Sequence, residues 1–141
     1  MSILIFGSSG QLAQSLRDTK PADKRPTFID RDTCDLSDPD QVTTILEKKK
    51  PELIINVAGY TAVDKAEEEP QQAQLVNEEA VRCMAKYAHA RGAQFIHLST
   101  DFVFDGTKQT PYLPGDATGS LGEYGQSKLA GEFAALKEAP E

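Results

Sequence analysis

A chain of 141 residues, 39% hydrophobic and 26% charged, has room for one packed core that removes roughly two-thirds of the unfolded chain's surface from water, and no room for a second domain. No apolar run approaches the roughly 20 residues of a membrane helix, and 22 acidic against 15 basic side chains give a net charge of -7 that repels both a phosphate backbone and an anionic membrane. The expectation is one soluble domain over residues 1–141, with neither nucleic acid nor membrane as partner.

Ile3-Leu4-Ile5-Phe6 is a short continuous apolar run ending at Gly7, the pattern of a strand buried on both faces. No basic region precedes it, so it reads as structure and not as a signal peptide. Residues 11–18 follow as a helix with Leu12, Ala13 and Leu16 on one side. The alternation repeats: 27–30 as strand, 39–49 as helix, 53–57 as strand, 71–90 as helix and 94–99 as strand. Glu67-Glu68-Glu69-Pro70 reads as a solvated helix start, with carboxylates at the positive end of the dipole. Residues 106–122, holding Pro111, Pro114, Gly115 and Gly119, form a loop whose length marks it as functional or mobile. Residues 123–137 resume as a helix. Strands and helices taking turns predict an α/β fold, a doubly wound parallel sheet with right-handed crossovers of the Rossmann-like kind.

Cys34 and Cys83 are the only cysteines, with no CxxC spacing, and read as free thiols of a reducing cytoplasm. His97 reads as a satisfied core histidine and His89 as a surface one. No third ligand stands at metal spacing, so no metal is expected.

Gly7-Ser8-Ser9-Gly10-Gln11-Leu12-Ala13 lies between the first strand and first helix, where a dinucleotide fold holds its pyrophosphate. Gly7 suits the sharp turn, Gly10 lets backbone approach phosphate, and Ala13 keeps the helix close to the strand. Asp30, 20 residues beyond Gly10, stands where a carboxylate would accept hydrogen bonds from the adenosine ribose. Arg31 could instead pair with a 2′-phosphate, which leaves NADH and NADPH both open. Asp35 and Leu36 are close enough to line an adenine pocket, while Ser37 and Asp38 could cap the next helix.

Tyr124 and Lys128 are four residues apart on the last predicted helix and project from one face. A phenol titrates near pH 10, and lowering it by about three units requires about 4 kcal/mol. An ammonium about 4 Å away at an effective dielectric near 20 supplies that order of energy. Ser99-Thr100-Asp101 ends the fourth strand, where open α/β sheets bind ligands, and places the Thr100 hydroxyl where a substrate carbonyl would lie.

Four stretches together carry a family resemblance: Phe6-Gly7 through Gly10-Gln11-Leu12, Tyr60-Thr61-Ala62-Val63-Asp64-Lys65-Ala66-Glu67, Ser99-Thr100-Asp101-Phe102-Val103-Phe104, and Tyr124-Gly125-Gln126-Ser127-Lys128-Leu129-Ala130-Gly131-Glu132. On these the chain resembles, along nearly its whole length, the dTDP-4-dehydrorhamnose reductase family of extended short-chain dehydrogenases/reductases. The resemblance implies NAD(P)H-dependent reduction of a 4-keto nucleotide sugar, with Thr100, Tyr124 and Lys128 catalytic. It implies that Gly10, Gln11 and Leu12 meet the pyrophosphate, that Asp30, Asp35 and Leu36 hold the adenosine end, and that Gly59, Tyr60 and Thr61 hold the middle of the cofactor. Lys128 would also hold the nicotinamide ribose, and Asp101 the sugar nucleotide. Asn77 falls where related enzymes keep a helix asparagine, or is simply structural.

The chain departs from the family pattern in Ala13, where glycine is usual, and in Ser120, where proline is common, which implies a looser loop. It also lacks the further strands and carboxyl-terminal region of family members. A fragment of a longer polypeptide is the expectation, its 95–98 strand left as an apolar sheet edge that aggregates, pairs with another chain or makes a homo-oligomer. The rival functions are a non-catalytic regulatory subunit of the same fold and a nucleotide-sugar epimerase.

Overall fold

The four apolar runs pair side by side as one parallel sheet: β1 (Ile3–Phe6), β2 (Thr27–Ile29), β3 (Leu53–Asn56) and β4 (Gln94–His97). In the computed structural model, which describes residues 1–140, they stand in the order β2-β1-β3-β4. Ile5 lies beside Phe28 on one flank and Ile55 on the other, and Ile55 beside Ile96. The helices are α1 (Gln11–Thr19), α2 (Pro39–Lys49), α3 (Val63–Ala66), α4 (Pro70–Gln74), α5 (Ala80–Arg91) and α6 (Glu123–Glu138). Right-handed crossovers place α1 on one face of the sheet and α2 and α5 on the other.

Alternation along β1 sends Leu4 and Phe6 to the second face. There they form a core with Ile54, Val42, Leu46 and Met84, each 1% exposed or less. Each such side chain stabilises the fold by about 1.5–3 kcal/mol through burial. Helix α2 begins where its sequence says it should. The Asp38 carboxylate accepts from the amides of Asp40 and Gln41, and Pro39 occupies the first helical position.

Two expectations need correction. Residues 71–90 are not one regular helix, because a π-helical turn, Leu75–Glu79, separates α4 from α5. Asn77 sits in this turn, its side chain pointing to the loop after β3 and its carbonyl facing Gly131 of α6. The fourth strand is the apolar sheet edge expected of it: Phe95 joins the core while Ile96 and Leu98 are 48% and 39% exposed. Residues 106–122, expected to be loose, are tied internally. Asp105 accepts from the Thr107 amide and the Tyr112 hydroxyl, the Phe104 and Tyr112 rings stack 4.3 Å apart, and Gly119 donates to the Val103 carbonyl.

Candidate functional site

The turn after β1 is shaped by one glycine. Gly7 has φ 109, and a Cβ there would lie 3.0 Å from Val57 Cγ2 and 3.3 Å from the Ala58 nitrogen, so conformation and space both require its absence. Beyond it, Gly10 caps α1 with no side-chain hydrogen bond, and the first turn holds no acid. The amides of Gln11, Leu12 and Ala13 are therefore free donors at the positive end of the helix, unlike those capped by Asp38 in α2. Arg17 and Gln14 hold the loop from behind by donating to the carbonyls of Ser8 and Ser9. Ala13 is 1% exposed, which is the close helix packing that a small residue permits.

This turn opens into a cleft of about 1030 Å³ at the carboxyl ends of β1 and β3, where the strand order reverses. Gly7, Gly10, Asp30, Arg31, Asp35, Leu36, Gly59, Tyr60 and Thr61 all line it. Gln11 and Leu12 do not, and the Leu12 side chain is 43% exposed, so those two residues can offer only backbone. Asp30 uses one carboxylate oxygen to accept from the Thr33 amide at 2.8 Å. The Thr33 side chain first, and then its amide, hold the Asp30 carboxyl below the usual range. Asp35 is held ionised chiefly by the Ser37 amide and hydroxyl. The Arg31 guanidinium stands 3.9 Å from Asp35, with its side chain 80% exposed.

A second hollow of about 340 Å³ is lined by Val63, Asp101, Phe102, Leu121 and Tyr124 among others. The Tyr124 ring meets Phe102 edge-on at 5.5 Å. Thr100 accepts from the Phe102 amide and thereby caps a 3-10 turn, Asp101–Val103. Lys128 is 5% exposed, and its Nζ donates to the Leu98 carbonyl at 2.5 Å. Among the described residues no hydrogen bond joins it to Tyr124. Burial pushes the Lys128 ammonium down, and the Glu132 carboxylate offsets part of that. The cleft and the helix meet here, because a Cβ on Gly59 would lie 4.0 Å from Lys128 Nζ.

Two site residues carried no clear local signal. Asn77, left open by its sequence position, is 1% exposed and uses both N–H groups of its amide and one lone pair of its oxygen. It accepts from the Tyr60 nitrogen and donates to the Tyr60 carbonyl and to Ser127 Oγ, which itself donates to the Tyr124 carbonyl. One side chain thus registers the cleft wall against α6. Glu67 belongs to the acidic run expected to be merely solvated, yet it accepts from the Glu123 amide at 2.8 Å and caps α6 from 56 residues away. In the same run Glu69 accepts from the Tyr60 hydroxyl and pairs with Lys65 at 3.1 Å.

His97 is not the satisfied histidine expected from its strand. Its Nδ1 accepts from Asn56 Nδ2 at 3.1 Å, which places the proton on Nε2, and Nε2 is buried without a partner. Burial first, then the Lys128 ammonium, pushes the imidazole down to about 4. Between pH about 6.5 and about 4 the unfolded chain takes up a proton that the folded chain does not, so stability falls as pH falls through this window, by about 3 kcal/mol. Urea midpoints measured across it should drop more steeply for the natural chain than for His97→Gln. Parallel curves would show that His97 is not the group responsible.

A family model described as RmlD substrate binding domain matches residues 1–141. A dTDP-4-dehydrorhamnose reductase of Sinorhizobium fredii is 41% identical over 140 residues, which is 99% of this chain and 47% of that protein. A crystal structure of a dTDP-4-dehydrorhamnose reductase from Clostridium acetobutylicum superposes with a TM-score of 0.94 at 33% identity, covering 99% of this chain and 50% of its own. That from Bacillus anthracis, in complex with NADP, superposes with a TM-score of 0.92 at 30% identity, covering 100% of this chain and 51% of its own. The chain spans about half the length of the relatives it matches.

Proposed function

Because the chain belongs to the RmlD substrate binding domain family, we propose that it carries the dinucleotide-binding and proton-donating part of a dTDP-4-dehydrorhamnose reductase, a short-chain dehydrogenase/reductase of the cytoplasm. What supports this most is one continuous surface. The uncapped start of α1 and Asp30 line a cleft whose far wall, at Gly59, comes up against the buried Lys128.

The residues present fit a nicotinamide dinucleotide. The free amides of α1 suit a pyrophosphate, the Asp30 carboxylate suits ribose hydroxyls, and Arg31 suits a 2′-phosphate. NADPH or NADH, when bound, supplies the hydride. Tyr124 gives its phenolic proton to the 4-keto oxygen of the nucleotide sugar, and Thr100 donates a hydrogen bond to the same oxygen. Lys128 places a positive charge near the phenol and holds the ribose, while Asp101 holds the sugar nucleotide. The open edge of β4, with Ile96 and Leu98 exposed, is where further polypeptide or a second copy would join the sheet.

Titrating the chain with NADPH and with NADH tests the cleft. Arg31→Ala should weaken NADPH about tenfold, the worth of one charge-assisted hydrogen bond, and leave NADH unchanged. Failure of the natural chain to bind either dinucleotide would overturn the assignment.

A further inference from the structure

Thr100 comes from the end of β4, whereas Tyr124 and Lys128 come from α6. Their cooperation needs something to hold strand end and helix in register. Two bonds cross this gap. One is the Lys128 ammonium on the Leu98 carbonyl, and the other runs from the Ser99 hydroxyl to the Glu132 carboxylate. Ser99 immediately precedes Thr100, and Glu132 is one helical turn beyond Lys128, so Tyr124, Lys128 and Glu132 follow one another up a single face of α6.

We propose that Glu132 is a positioning residue for the Thr100, Tyr124 and Lys128 group, latching the end of β4 to α6 through Ser99 and serving as counter-charge to the Lys128 ammonium. This rests on the reductase reading for what the three residues do, but the geometry of the latch does not depend on it.

The surroundings leave this task to Glu132. From β4, the titratable group facing Lys128 is His97, which stays neutral at pH 7 and offers no negative charge. From α5, the π turn and the end of α6, Glu78, Glu79 and Glu138 are gathered on Arg82. Asn77 and Ser127 beside them are neutral and already bonded to each other. Glu132 is the carboxylate that raises the Lys128 ammonium against the effect of burial.

Two substitutions separate charge from latch. Glu132→Gln keeps an oxygen for the Ser99 hydroxyl and removes the charge, while Ser99→Ala keeps the charge and removes the bond. The readouts are the titration of Lys128 followed by side-chain NMR, assigned with Lys128→Arg, and amide exchange at Leu98 and Phe102, the bonded amides flanking Ser99. Glu132→Gln should lower the Lys128 midpoint by about one unit, a roughly tenfold weaker hold on its proton, with exchange unchanged. Ser99→Ala should speed exchange severalfold with the midpoint nearly kept. A Lys128 midpoint unmoved by Glu132→Gln, or exchange unmoved by Ser99→Ala, would overturn the proposal. Neither readout uses a dinucleotide, so a chain that bound no cofactor would refute the reductase reading while leaving this test intact.

Discussion

Gly131→Ala should destabilise the chain by about 3 kcal/mol, the upper range for forcing a methyl into a packed interface. A Cβ at Gly131 would stand 2.1 Å from the Asn77 carbonyl oxygen and 3.3 Å from its carbon. Both are backbone atoms of the π turn, and neither can rotate aside as a side chain would. Relief requires α6 to withdraw from the turn, and that helix carries Tyr124 and Lys128 with it. Against a total of about 5–15 kcal/mol for a native domain, the loss would be plain in a urea titration. An unchanged midpoint would mean that α6 does not rest on the π turn. The size of the effect comes from proximity to main chain, not from lost hydrophobic burial, since no apolar atom is removed.

On the proposed reductase reading, Tyr124→Phe in a reductase that contains this chain should reduce turnover of a 4-keto nucleotide sugar by about 10²–10⁴, the usual worth of a positioned proton donor. Dinucleotide affinity should stay within severalfold. The substitution keeps the ring that meets Phe102 edge-on and deletes only the hydroxyl, so a loss of rate with folding intact would report the proton itself. Loss of ketosugar-dependent NADPH oxidation is the measure. A variant that turned over at the natural rate would remove Tyr124 from the proposed chemistry.

Much of the fold was legible because it is local. The run from Ile3 to Phe6, the turn at Gly7 and the start of α1 are contiguous, and the alternation of strand and helix needs no long-range information to be seen. Asp30 and Asp35 were likewise readable, since they follow a strand and the topology brings strand ends together, whereas Tyr60 came only from the family resemblance. The spacing of Tyr124 and Lys128 gave their common helix face. It did not reveal that the ammonium bonds to Leu98, a carbonyl 30 residues earlier. The cap that Glu67 places on Glu123 spans 56 residues, and a run of three glutamates looks the same whether it faces water or another helix. The π turn was hidden because residues 71–90 keep the composition of an ordinary helix. What sets it apart is the position of Asn77 between Tyr60 and Ser127. His97 was misjudged for a similar reason. An apolar strand around it implied burial, but only the fold shows one ring nitrogen taken by Asn56 and the other left over.

The wide turn at Leu75–Glu79 leaves the phase of everything that follows unchanged. A turn closed from i to i+5 takes up one residue more than an ordinary turn while sweeping nearly the same angle, so Met84 and Ala88 keep facing the sheet. The surplus residue is spent on a local swelling of the rod, which sets the Asn77 carbonyl against Gly131 and its amide between Tyr60 and Ser127. Deleting it should leave the downstream packing in place and take away that junction with α6.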